Sequence, residues 1–174
     1  MDKDAFQEAL DAALQYLGPR PRSIWEVRQR LRRRGLEPEG VDEVVARLQE
    51  LGFLDDAAFA GFWIENRESF RPRGRRLLEL ELRQRGVETE ALEERLSTLD
   101  EEDSALRAAR SKARGLASSS YAVFAAKVSG FLRRRGFYYE VVSTVTRRLW
   151  REANLDSPEG DSQPGQDQDE DDQD

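Results

Sequence analysis

Three times the chain writes a leucine, a cluster of arginines and a glycine: Leu31-Arg32-Arg33-Arg34-Gly35, Leu82-Arg83-Gln84-Arg85-Gly86 and Leu132-Arg133-Arg134-Arg135-Gly136. The glycines stand 51 and 50 residues apart, and an apolar residue follows each: Leu36, Val87 and Phe137. A fixed period of that size marks a tandem array of one small structural unit. Whatever the chain folds into must therefore accommodate this unit three times over.

Both sides of each glycine carry helical spacing. Four and eight residues upstream stand Leu31 and Val27, Leu82 and Leu78, Leu132 and Val128, one apolar stripe per copy. Downstream, positions +6, +10 and +13 read Val41, Val45 and Leu48, then Leu92, Leu96 and Leu99. The third copy keeps Val142 and Leu149 and moves Val145 one residue early. Each glycine thus separates two helices. It suits a helix stop because a residue just past a helix end takes positive φ, which costs glycine nothing, and arginines in the last turn complement the negative end of the dipole. Capping needs one or two arginines, whereas Arg20 to Gly35 holds seven against one glutamate, and Arg71 to Gly86 six against two.

A further helix precedes each pair. Residues 5–17 carry Phe6, Leu10, Ala13, Leu14 and Leu17 on one face and stop at Gly18-Pro19. Ser23-Ile24-Trp25-Glu26 has the form of a capping box, opening a helix expected to reach Gly35, with another over residues 39–51. In the second copy, Asp55-Asp56 opens a helix bearing Phe59, Phe62 and Trp63 at buried-stripe spacing. Arg71-Pro72-Arg73-Gly74 breaks it, and helices over 75–85 and 89–99 follow. The third copy runs from Asp100 toward Leu116, restarts after Ser118-Ser119-Ser120, and ends in a helix holding Val141, Val142, Val145, Leu149 and Trp150. No alternating β-type run is present. The expectation is an all-α chain of three three-helix repeats over 1–52, 53–99 and 100–152, followed by a disordered acidic tail over 153–174.

The tail accounts for the overall charge. Its nine acidic residues face no Lys or Arg, so a net −7 becomes +2 for residues 1–152. A segment of Asp, Glu, Gln, Ser, Pro and Gly buries too little apolar surface to fold. With no cysteine, no apolar run of membrane length and no signal-peptide pattern, the chain reads as cytoplasmic and monomeric, off the membrane.

Enzyme classes find little to work with. The absence of His and Cys removes the common metal ligands and nucleophile–base pairs. Asp55 and Asp56, an acidic pair that could hold a hard cation, diverge by about 100° on a helix, which favours capping. No phosphate-binding glycine loop or G-x-S-x-G elbow occurs. We expect no catalysis, no cofactor and no metal. Binding chemistry is better supplied: Arg32, Arg33 and Arg34 with Arg67, Arg71, Arg73, Arg75 and Arg76 are the candidate partner or DNA contacts, since the guanidinium fork suits phosphate and carboxylate. The alternative is a solvated face balanced by the acidic third helices.

Asp55-Asp56-x-x-Phe59-Ala60-x-x-Trp63-x-x-x-Arg67, followed by Gly74-x-x-Leu77-Leu78-x-x-x-Leu82-x-x-x-Gly86-Val87, resembles the RecX family of bacterial recombination regulators. Ser23-x-x-Glu26-Val27-x-x-x-Leu31 before it and Phe131-Leu132-x-x-Arg135-Gly136-Phe137 after it extend the likeness over residues 5–151. The resemblance implies tandem three-helix repeats in an elongated, curved body, and RecA as partner. Members of the family bind the RecA filament on single-stranded DNA, lodge in its groove and inhibit its ATPase, strand-exchange and coprotease activities. Some also bind DNA, and none is an enzyme. The acidic tail and the serine-rich stretch fall outside that pattern. The rival readings are a general nucleic-acid-binding helical repeat protein without RecA specificity, and a helical scaffold for another protein.

The tail and the basic body are complementary in charge, so the tail is expected to compete with DNA for the arginines. Truncation after Glu152 should raise DNA affinity at low salt, measured by fluorescence anisotropy, with a steeper salt dependence. An unchanged slope would rule the competition out.

Overall fold

A computed structural model describes residues 2–155, apart from the side chains of 89–91 and 155. The acidic tail from Asp156 onward lies outside the described residues. Among those described there are nine helices and no strand: α1 (Lys3–Leu17), α2 (Ile24–Arg33), α3 (Pro38–Glu50), α4 (Asp56–Phe70), α5 (Arg75–Arg83), α6 (Thr89–Ser97), α7 (Glu101–Arg114), α8 (Tyr121–Arg134) and α9 (Tyr139–Leu155). They form three units of three helices, each with its own core.

The stripes read from the sequence are those cores. Val27, Leu31, Val41, Val45 and Leu48 are all but fully buried in unit one, as are Leu78, Leu82, Leu92 and Leu96 in unit two and Val128, Leu132, Val142, Val145 and Leu149 in unit three. Leu54, on the link before α4, completes the first core. Phe59 and Phe124 are the largest buried side chains of units two and three. Burying a leucine or phenylalanine stabilises by roughly 1.5–3 kcal/mol, so these residues supply most of the folding drive.

Each second helix ends one or two residues before its arginine–glycine pair, and the ending is the same in all three units. Gly35, Gly86 and Gly136 have φ of 87°, 75° and 84°. The glycine N–H donates to the carbonyl three residues back, Arg32, Arg83 or Arg133, at 2.9–3.0 Å. The N–H of the next residue reaches back five, from Leu36 to Leu31, Val87 to Leu82 and Phe137 to Leu132, at 3.1–3.3 Å. This is the Schellman pattern, in which the apolar residue after the glycine also packs on the helix it closes.

The units are joined through those caps. Ser23 caps α2 in a full capping box with Glu26, and its buried hydroxyl also donates to the Arg85 carbonyl of unit two at 2.7 Å. The Ile24 N–H donates to Asp56 Oδ1 at 2.9 Å, and the Trp25 side chain lies on Gly86. Asp55 performs the capping of α4, accepting from the Ala57 and Ala58 amides, which leaves Asp56 to bridge the units. Burial pushes the Asp56 carboxyl above its usual range, against the opposing effect of the Ile24 hydrogen bond.

The second junction repeats the first. Gly74 N–H donates to the Arg135 carbonyl at 2.9 Å, Arg75 N–H donates to Glu101 Oε1 at 2.8 Å, and Leu77 lies on Gly136. Glu68 adds a further link, accepting from Ser104 Oγ and from Arg107.

Gly86 and Gly136 therefore serve twice, as positive-φ caps and as backbone on which another helix rests. A Cβ at Gly136 would lie 2.4 Å from Leu77 Cβ, and at Gly86 2.5 Å from Trp25 Cβ, whereas at Gly35 it meets nothing within 4 Å. Gly35→Ala should cost about 1–2 kcal/mol from left-handed strain alone. Gly136→Ala should cost about 1–3 kcal/mol more from overpacking, read as a larger drop in urea midpoint.

Candidate partner-binding surface

Unit two carries a buried carboxylate that organises the arginines around it. Glu81 on α5 is 7% exposed. Its Oε2 accepts from Trp63 Nε1 at 2.8 Å and Arg67 Nε at 3.0 Å, while Arg73 pairs with Oε1. Two guanidiniums lie over the Trp63 ring, Arg85 at 3.8 Å and Arg67 at 4.5 Å from its centroid. One carboxylate and one indole thus hold three arginines. Helical spacing puts Trp63 and Arg67 on one face of α4, and Arg85, in the turn just past α5, reaches back to the Glu81 carbonyl at 3.0 Å.

The cluster continues across both junctions. Arg20, paired with Glu26 at 2.8 Å, is close enough to Arg85 to act on its charge. Arg135 donates to the Pro72 carbonyl at 3.1 Å, stacks on Phe131 and faces Arg71. Arg73 is held below the usual guanidinium range by burial first, then by repulsion from Arg67, Arg71, Arg135 and Arg85. The result is a ridge of six arginines, Arg20, Arg85, Arg67, Arg73, Arg71 and Arg135, with Glu26 and Glu81 as its carboxylate partners. Such a concentration of fixed positive charge draws phosphate or carboxylate.

The sequence-derived candidates divide on this geometry. Arg67 and Arg73 are half-buried on Glu81, and Arg75 faces Glu101 at 3.8 Å. Arg71 and Arg76 are exposed and make no ion pair among the described residues, and the same holds for Arg32, Arg33 and Arg34. The last three stand at the far end of α2. Ser23 touches unit two, and Arg34 lies eleven residues further on, about 16 Å along the axis. The structure brings Arg67, Arg71 and Arg73 together and leaves Arg32–Arg34 apart. It also adds Arg85 and Arg135, which as members of the capping motif were read for their place before the glycine. Their signal was present: each sits four residues after a residue it contacts, Arg85 on the Glu81 carbonyl and Arg135 on the Phe131 ring.

The counter-charge comes from different places in the units. Asp42 on the third helix of unit one pairs with Arg28, whereas in unit two Glu81 on the second helix takes that part. No group of carboxylates among the described residues is placed to hold a metal ion, and no helix there is long and apolar enough to cross a membrane.

Comparison with known proteins finds three domain profiles matching in order: the first, second and third three-helix domains of RecX, over residues 9–48, 55–96 and 100–146. Regulatory protein RecX of Streptomyces coelicolor is 30% identical over 158 residues, covering 89% of this chain and 84% of that protein. Its counterpart in Pelodictyon phaeoclathratiforme is 34% identical over 141 residues, covering 81% and 88%. The crystal structure of RecX from Lactobacillus salivarius superposes with a TM-score of 0.76 over 84% of this chain and 97% of its own, at 22% identity, a likeness of fold.

The buried carboxylate is testable alone. Glu81→Ala leaves Arg67 and Arg73 without their anion and should destabilise by about 3–5 kcal/mol. Glu81→Gln, which can still accept from Trp63, should cost less. Urea unfolding followed by tryptophan fluorescence measures both.

Proposed function

The chain belongs to the RecX family of regulatory proteins, and on that premise we propose that it binds the filament RecA forms on single-stranded DNA and restrains it. ATP turnover, strand exchange and coprotease activity are the outputs it lowers. The protein works in the cytoplasm, as a monomer in dilute solution.

The observation that carries this reading is the arginine ridge running over all three units. Five of its six members are held in place before any partner arrives: Glu26 fixes Arg20, Glu81 and Trp63 fix Arg67, Arg73 and Arg85, and Pro72 and Phe131 fix Arg135. Side chains ordered in advance lose less entropy on binding than free arginines do. Arg71, exposed within the ridge, and Arg76, exposed in the first turn of α5, are available to meet phosphates or acidic side chains. The junction hydrogen bonds keep the units in register, each worth about 1 kcal/mol. A surface of that length spans neighbouring filament subunits, and holding two of them in one relative position resists the changes that turnover requires.

A general affinity for nucleic acid is the second reading, favoured by the same ridge. Steady-state RecA ATPase on single-stranded DNA separates the two. Inhibition well below one molecule per RecA subunit supports filament regulation, and inhibition only when the DNA is saturated means competition for DNA. Arg71→Glu with Arg76→Glu should weaken inhibition at least tenfold at unchanged helicity. Arg67→Glu or Arg73→Glu would set two carboxylates together at Glu81 and should lower stability first.

A further inference from the structure

Each junction has two halves. One is the start of a second helix: a capping residue that donates to a carbonyl, a first-turn amide that donates to a carboxylate, and a side chain that covers a glycine. The other is the arginine–glycine cap of the following unit together with the acidic first residue of its first helix. Ser23, Ile24 and Trp25 meet Arg85, Asp56 and Gly86. Gly74, Arg75 and Leu77 meet Arg135, Glu101 and Gly136. Three units form two junctions, so one half of each kind is left over.

The leftover halves are open. On unit three, Ser120 caps α8 with no side-chain hydrogen bond, and Val123, at the helical position of Leu77, is 42% exposed. On unit one, Gly35 has the positive φ of its two counterparts but nothing where they carry Trp25 or Leu77. The hollow beside it is lined by Ala5, Glu8, Arg34, Gly35, Glu37 and Glu39. Glu37 holds the place that Glu88 holds beside Trp25 at the first junction. In the hollow three acids, Glu8, Glu37 and Glu39, outnumber one arginine, Arg34, while the first turn of α8 has no acidic residue, presents the positive end of its dipole, and is followed by exposed Lys127.

We propose that the chain associates head to tail with a second copy of itself, the start of α8 in one copy seating on the Arg34–Gly35 cap of the next. The two surfaces differ, so the contact is heterologous and extends into an open row. It is a single helix end on a single cap, far smaller than the roughly 1,200 Å² of a stable interface, so copies separate in dilute solution and meet when concentrated. On a filamentous partner the same contact makes neighbouring copies bind cooperatively. That consequence rests on the proposed function, whereas the contact itself does not.

The chain lacks cysteine, which allows a direct test on the full-length protein. Glu37→Cys and Val123→Cys are both exposed, and Glu37 makes no capping bond. A short bis-maleimide should link a mixture of the two single variants into heterodimers, and should give the double variant a ladder of dimers, trimers and higher species. Ala122→Glu in the Val123→Cys chain, which sets a carboxylate against the acids of the cap, should cut the heterodimer yield about tenfold with the circular dichroism unchanged. Either single variant linking to itself as readily as to the other would overturn the proposal. So would a mixed yield no higher than in urea, or one insensitive to Ala122→Glu.

Discussion

The last carbonyls of an α-helix have no donor within the helix, and this fold depends on how that deficit is met. At Gly35, Gly86 and Gly136 the chain turns left-handed and folds its own next amides back onto the helix end. The same turn presents a bare stretch of backbone. At Gly86 and Gly136 the neighbouring unit takes up one carbonyl the turn leaves over, those of Arg85 and Arg135, and rests a side chain where a Cβ would stand. Helix termination and unit stacking are thus one interaction. A residue larger than glycine would disturb both.

That economy shapes the charge of the molecule. Each cap carries arginines, and stacking brings the caps of successive units beside the link before the second helix, which is itself arginine-rich. Arg85 and Arg135 therefore arrive next to Arg20, Arg67, Arg71 and Arg73. Like charges at that density oppose folding, and Glu81, Glu26 and the faces of Trp63 and Phe131 offset the repulsion. The balance is incomplete, since Arg71 and Arg76 have no anion among the described residues. A surface with positive charge left over after its internal pairs are made is one that attracts an acidic partner.

The two arginine groups singled out from composition look alike in sequence and differ in the structure. Arg67 lies one turn beyond Trp63, and Arg73 beside Gly74 in a link; nothing in their spacing shows that both point at Glu81, which is fourteen residues from Arg67. Glu81 itself sits between Leu80 and Leu82, and nothing in the sequence singled it out. Asp56 is similar: beside Asp55 it reads as a cap, yet its bond runs to Ile24, 32 residues earlier. In each case the deciding partner is distant along the chain.

By itself the sequence determined everything governed by neighbours within about eight residues: the nine helices among the described residues, their buried stripes, the Ser23–Glu26 box, the positive-φ glycines and the threefold repeat. These follow from helical spacing and capping, whose interactions close over one or two turns. Tertiary structure alone decided which arginines are bound and which are free, which glycines are covered and which is bare, and that the cationic ridge crosses all three units. Those outcomes depend on how one unit seats on the next. A cap and a helix start that never meet in sequence become partners only when the stacking of whole units brings them within hydrogen-bond distance.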